Sequence, residues 1–286
     1  MGPVAAILPC GARLHLQHGP IDLVIGAKGD RDTAFRAAHS CFEGLLDRLV
    51  DELPILRTPV TGVPDPEGPV ARRMYTAARV HSDVFVTPMA AVAGAVADEV
   101  LSAMRRATNL QSAYVNNGGD IALLLTGDET FTLAMATPDG RDLGRIILRT
   151  KDAIGGIATS GFGGRSLSCG IADSVTVLAA DAASADVAAT LIANAVNLPD
   201  HPAISRCPAN QMRDDSDLGL RLVTKNCGSL TGAEINSALS NGAEAAEKMT
   251  CRRIIHGAAM FLRGQTRVAG SVSPFTHHDD RSLQIA

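Results

Sequence analysis

The order in which short β-type runs and amphipathic helical runs follow one another constrains this chain most. Residues 4–8, 13–17 and 21–26 are short β-rich runs parted by Cys10-Gly11 and Gly19-Pro20, as in an antiparallel start with a tight turn. A helix is expected from Arg31 to Leu53, where Phe35, Ala38, Phe42, Leu45, Leu46 and Leu49 recur at three- and four-residue spacings. Asp30 or Asp32 is available to cap it. A breaker-rich connection with prolines at 54, 59, 64, 66 and 69 follows, a candidate lid or linker. Short helices are expected over 70–80 and from Pro88 to Arg106. Strands follow at 113–116, 121–126, 130–136, 144–149, 157–159 and 174–179. The end of the chain reads as helix 183–195, strand 220–224, helix 233–249 capped by Thr231, and strand 254–262. Residues from Gly264 onward turn polar and are expected to fray. This mixed order predicts an α+β fold, a single domain over 1–263 with a mixed, mostly antiparallel sheet and packed helices. No fixed-period repeat occurs, which excludes a solenoid.

Composition narrows the function. Lys and Arg total 26 against 30 acids, a net charge of −4, so nothing draws the chain towards nucleic acid. An aromatic share of 3% argues against base-stacking platforms. The start, MGPVAAILPC, lacks a basic leader segment, and the apolar stretch from Val84 stops at Asp98-Glu99, too short for a bilayer. A cytoplasmic protein without membrane spans is expected. The six cysteines form no CxxC, so buried free thiols are expected rather than a zinc site.

Four segments could carry chemistry. In Asn116-Asn117-Gly118-Gly119-Asp120 two glycines let backbone N–H groups approach a ligand, and Asp120 adds a charged acceptor for ribose hydroxyls or a ring N–H. The alternative is a hairpin turn built from Asn and Gly. The run from Gly155 to Ser166 sets Thr159, Ser160 and Gly161 in a glycine-rich turn ahead of Arg165, a combination suited to phosphate oxygens, or else a plain flexible loop. Asp186 and Thr190 lie four apart on one helix face and offer hard oxygens to Mg²⁺; alternatively Asp186 answers the helix dipole and Thr190 bonds back to the preceding turn. After Thr87-Pro88-Met89, a helix of Ala and Gly can approach a sheet or a ligand closely. His15 and His18 are lesser candidates, and His277-His278-Asp279-Asp280 lies in the polar tail.

Taken in order, these segments resemble the ApbE-like superfamily, which includes the FAD:protein FMN transferases, and within it a shorter branch from bacteria and archaea. The matching stretches are Ala90–Asp98, Asn116–Ile121, Ala158–Gly161, Ser174–Val177 and Ala185–Thr190. The resemblance implies a flavin, FAD or FMN, lying over these loops, with Met89, Asn116, Gly118, Gly119, Asp120, Thr159, Ser160, Gly161 and Arg165 about it. It implies Mg²⁺ at Asp186 and Thr190, near a pyrophosphate. Two departures stand out. Ala93 occupies the position of the transferases' helix lysine, and Arg165–Asp173 carries neither the family's histidine nor its Asp-Pro. A divergent Mg-dependent flavin transferase is the first reading. A non-catalytic flavin or nucleotide binder, or a small-molecule enzyme reusing the pocket, is the alternative. The implied partner is a small-molecule or nucleotide ligand, with a homo-oligomer left open.

Overall fold

A computed structural model describes residues 2–136, 142–164, 166–270, 275–276 and 284–285. The chain sorts into two compact units, interleaved in sequence. The first comprises residues 1–130, 149–158 and 179–187, and the second 131–148, 159–178 and 188–286. Mixed helix and mostly antiparallel sheet, as the order of elements predicts, is found in both.

In the first unit, β1 (Val4–Ile7), β2 (Arg13–His18), β3 (Ile21–Gly29), β4 (Leu110–Asn117) and β5 (Asp120–Leu125) pair antiparallel in chain order. The first residues of β8 (Gly156–Ser160) pair with β5, Ile157 opposite Ile121. Alternation decides which face turns inward: Leu14 and Leu16 of β2, and Ile21, Leu23 and Ile25 of β3, are buried. β1 is exposed on both faces and is held by its pairing with β2.

Helix α1 (Arg31–Phe42) starts at Asp30, whose carboxylate accepts from Thr33 N at 3.2 Å. The single helix expected to Leu53 is broken. Gly44 has φ +66°, and α2 (Leu45–Asp51) and α3 (Leu53–Leu56) follow as separate short turns. α4 (Pro69–Arg79) and α5 (Val92–Ala107) match their expected spans, with a 3-10 turn over Pro88–Ala91 leading into α5. α5 packs on β4, β5 and α1 through Ala95, Val96, Val100 and Met104, all fully buried.

In the second unit, β6 (Thr130–Ala136), β7 (Asp142–Arg149) and β14 (Phe275–Thr276) form one small sheet, and β10 (Ile204–Pro208) and β11 (Leu222–Cys227) another. β9 (Ser174–Ala179) pairs antiparallel with β12 (Gly257–Leu262), and both are buried along their whole length. Residues 265–270 do not fray. They form β13 (Gln265–Gly270), antiparallel to β12, and β15 (Gln284–Ile285) adds to it in parallel. α6 (Ala182–Ala195) has residues 182–187 in the first unit and the rest in the second, and α7 (Gly232–Cys251) completes the helices; the Thr231 cap is present, with Glu234 closing a capping box.

Only Cys227 is buried among the cysteines; Cys10 and Cys251 are exposed and the others half-buried, against the expectation of buried thiols. No described helix is long and apolar enough to cross a membrane.

Candidate functional site

Gly118 and Gly119 are the whole connection between β4 and β5, with Asn117 opposite Asp120. Their φ values are +64° and +116°. A two-residue turn of type I′, which follows the right-handed twist of its strands, needs positive φ at both positions, which glycine meets without strain. Asn116 Oδ1 accepts from Gly119 N at 2.8 Å and closes the turn. Asn117 is buried; its Nδ2 donates to Ala93 O at 3.1 Å and its Oδ1 accepts from Asp22 N at 3.5 Å. It ties the turn to the start of α5. Gly118 is exposed, Asp120 is half-buried, and a Cβ at Gly119 would meet nothing within 4 Å. The hairpin reading of this segment is realised in full, and it leaves an open rim.

The starts of α5 and α6 interlock. A helix start carries N–H groups with no partner inside the helix and favours negative charge. Asp186 of α6 accepts from Gly94 N of α5 at 3.0 Å, with the Ala93 N–H as a second donor. Asp98 of α5 accepts from Ala182 N at 3.1 Å and Ala183 N at 2.9 Å, the first amides of α6. Asp181 caps the same end through Ser184 N at 2.7 Å. Two glycines allow this approach: a Cβ on Gly94 would lie 2.2 Å from Ala182 O, and one on Gly156 2.1 Å from the Asp181 carbonyl. Asp186 therefore serves a helix start, as the dipole alternative held, but the start of α5 rather than of its own helix.

Burial, with acid close to acid, shifts both groups. Burial, opposed by the Ala183 N–H and reinforced by the charge of Asp181, pushes Asp98 up to about 7. Asp186 is raised well above the ordinary carboxylate range, first by burial and then by the charge of Asp120. Although some of the Asp186 surface is accessible, its carboxyl group is enclosed. The electrostatics favour a cation there, and hard oxygens are the donors Mg²⁺ takes. No group of three or more His, Cys, Asp or Glu side chains arranged for a metal occurs among the described residues. A metal at Asp186 would therefore complete its shell with hydroxyl, carbonyl, ligand or water oxygens. Thr190 stands one turn further along α6.

Glycines of the 155–164 segment serve close backbone packing. In the first unit, Gly155 lies against Ala180 O and Gly156 against Asp181. In the second unit, Thr159 is exposed, with its Oγ1 3.0 Å from Thr176 Oγ1, and Ser160 is half-buried. A Cβ on Gly161 would lie 2.8 Å from Asp173 O, and the next amide, Phe162 N, donates to Ala172 O at 2.8 Å. Arg165 lies outside the described residues, as does the His277–Asp280 run. Residues 169–171 pack on the end of α6: Cys169 N donates to Asn194 Oδ1 at 2.8 Å, and Ile171 N to Val196 O at 2.9 Å.

Of the residues singled out from sequence, Asn116, Gly118, Gly119, Asp120, Asp186 and Met89 belong to the first unit, and Thr159, Ser160, Gly161 and Thr190 to the second. Met89 is half-buried in the 3-10 turn before α5. Asp120 and Asp186 are brought within electrostatic reach of each other. Sequence reasoning gave no role to Asn117 or Asp98. The available signal is the acidic pair Asp98-Glu99, at which the apolar stretch from Val84 stops although the helix runs on.

Comparison with known proteins gives relatives of the chain and one family match. The chain is 38% identical over 135 residues to a UPF0280 protein of Methanothermobacter thermautotrophicus, covering 47% of this chain and 51% of that one. It is 44% identical over 126 residues to a UPF0280 protein of Methanococcus vannielii, covering 43% and 50%. The chain thus spans about half the length of these relatives. Among solved structures, Pseudomonas stutzeri flavinyl transferase ApbE in apo form aligns with a TM-score of 0.47 at 11% identity, covering 96% of this chain and 98% of that one. A family model described as AbpE bacteria matches residues 5–268, and the chain belongs to that family.

Proposed function

We propose that this chain binds a flavin nucleotide, FAD or FMN, over the β4–β5 turn and the start of α5, with Mg²⁺ held at Asp186. The observation that carries this reading is the enclosed Asp186 carboxylate, raised by burial and by Asp120 beside a glycine turn with an open rim. In a member of the AbpE bacteria family, such a place suits a cation and the pyrophosphate that accompanies it. Asp120 would accept from ribose hydroxyls or a ring N–H, and the Gly118–Gly119 backbone would let the nucleotide approach. Met89 is proposed as a further contact within the same unit. Bound Mg²⁺ would neutralise pyrophosphate charge. Asp186 would keep its two amide donors and turn its remaining lone pairs to the ion. The ligand would be met in the cytoplasm.

Binding without efficient transfer is the favoured form of this reading. The interval 166–173 offers no histidine as acid or base, and Ala93 offers no ammonium. Incubation with FAD, Mg²⁺ and a flavin-accepting protein domain is expected to give little or no covalent flavin on the acceptor. Efficient labelling would mean that another residue supplies the base.

The reading is tested by titrating FAD with and without Mg²⁺. Asp186→Ala is expected to weaken binding about tenfold or more and to abolish its Mg²⁺ dependence. Asp120→Ala should weaken binding and leave that dependence in place. If Asp186→Ala binds FAD normally and only melts lower, Asp186 is a helix cap and the metal is not there. Residues 1–263 are further proposed to act as one domain, since neither unit is a continuous stretch of chain. Limited proteolysis should then cut first between Pro54 and Pro69; two fragments split near residue 150 that fold stably would disprove it.

A further inference from the structure

A cavity in the first unit, about 290 Å³, lies among α4, α5 and the start of α6. That is the small end of ligand pockets, below what a flavin nucleotide needs. Charges of both signs line it: Arg72 and Arg73 from α4, Asp98 from α5, and Asp181 at the start of α6, with the hydroxyls of Thr76 and Ser184.

Opposite charges sharing a small cavity ordinarily collapse into ion pairs. Among the described residues these do not, because each is anchored elsewhere. Arg72 Nε donates to Pro66 O at 3.2 Å. Arg73 Nε donates to Glu99 Oε2 at 2.9 Å, and Glu99 is held from its other side by Arg106 at 3.1 Å. Asp98 is held by two α6 amides, and Asp181 by Ser184 N. Fixing each guanidinium through Nε leaves its two terminal nitrogens as a planar fork, the geometry that takes a carboxylate in two parallel bonds. The acids make the negative side of the cavity; burial first, and then the charge of Asp181, push the Asp98 carboxyl up, while Arg73 draws it down without closing an ion pair with it.

The geometry points to a binding site for a small zwitterion, an α- or β-amino acid whose carboxylate meets the Arg72–Arg73 forks and whose ammonium meets Asp98 and Asp181. Preorganisation is the physical advantage. Groups held apart by their own anchors need no rearrangement to receive a ligand with both charges, and a ligand with one charge leaves a pole uncompensated. Thr76 and Ser184 can donate to the carboxylate or accept from the ammonium. The site is distinct from that of the flavin reading and does not depend on it.

The experiment is a calorimetric titration of the whole chain with glycine, L-alanine, L-norvaline and β-alanine. L-alanine methyl ester, which keeps only the ammonium, and N-acetyl-L-alanine, which keeps only the carboxylate, serve as single-charge controls. At least one zwitterion is expected to bind saturably, and both controls at least about tenfold more weakly. Arg72→Gln should remove the preference for the zwitterion over the methyl ester, and Asp181→Asn, which keeps the helix cap, the preference over the N-acetyl compound. FAD titration of both variants should be unchanged, which separates this site from the other. No saturable binding by any of the four zwitterions up to about 10 mM, or equal binding by a single-charge control, overturns the proposal.

Discussion

Gly119 and Gly156 flank the same region of the first unit, and a side chain would fare differently at each. At Gly119, in the β4–β5 turn, a Cβ meets nothing within 4 Å, and the demand for glycine comes from φ at +116°. At Gly156, where β8 passes the start of α6, a Cβ would lie 2.1 Å from the carbonyl of Asp181 and 2.3 Å from Ala182 N. One glycine keeps a turn in shape and leaves its rim open. The other lets a strand lie against a helix start. Both sit in glycine pairs followed by a β-type run, so the chain uses similar local sequences for opposite purposes. Openness to a ligand belongs to the turn, and the crossing supplies the rigid floor on which Asp98, Asp181 and Asp186 are set.

The crossing is the place to break the molecule. Gly156→Ala puts an atom where neither backbone can give way, since Asp181 and Ala182 are held by the caps just described. The cost is expected to exceed about 4 kcal/mol and to leave little folded protein. Urea denaturation and the yield of soluble protein measure it. A variant as stable as the parent would show that α6 can move away from β8, and the contrast between the two glycines would fail.

The acids at the crossing sharpen the same contrast through pH. Asp98 stands at about 7 in the fold against an ordinary 3.8. Folding therefore takes up a proton between those values, and ionising the folded protein costs stability. The contribution of Asp98 is most favourable below about pH 4 and is lost as pH rises to about 7, by at most about 4 kcal/mol. Asp186 acts in the same direction. Urea midpoints across that range should fall with rising pH, and Asp98→Asn should flatten the slope. Replacing one carboxylate oxygen by an amide nitrogen also forfeits an acceptor, about 1 kcal/mol at low pH. A slope unchanged in Asp98→Asn would place the titration elsewhere.

How much of this could be read beforehand depends on how local each cause is. The β4–β5 turn was legible because its determinant is two adjacent glycines between alternating runs. The break at Gly44 was not, because Leu45, Leu46 and Leu49 carry the helical period straight past it. β10 and β13 were missed for another reason. Their sequences, ISRCP and QTRVAG, carry a proline, a glycine and polar residues, and become strands only by pairing with β11 and β12. At the site, the residue types at Asn116–Asp120 and at Asp186 could be chosen from sequence. The fact that Asp186 serves α5, 92 positions away from its partner Gly94, could not. Nor does spacing reveal that Asp98 returns the favour to α6.

The smallest expected effect is at the turn, and there a matched control gives the measurement its meaning. Gly127 begins the β5–β6 turn at φ +56°, also with nothing within 4 Å of its Cβ. Gly119→Ala and Gly127→Ala each add one methyl to open space and force an L-residue to positive φ. Each should cost about 1–3 kcal/mol, with Gly119 at the upper end because +116° lies further from the left-handed helical well. Neither should alter the fold, which circular dichroism and the urea midpoint will show. Their effects on FAD titration should part company. A methyl at Gly119 stands on the rim where the nucleotide backbone is proposed to lie, so affinity should drop several-fold; at Gly127 it should stay within error. The comparison must be made well below the melting temperature of both variants, so that the small stability loss does not reduce the folded fraction. If both lose affinity in proportion to their stability, the open rim is only an unoccupied surface, and the distinction between an open and a packed glycine carries no functional content. If only Gly119→Ala loses it, the space beyond that Cβ is where the ligand goes.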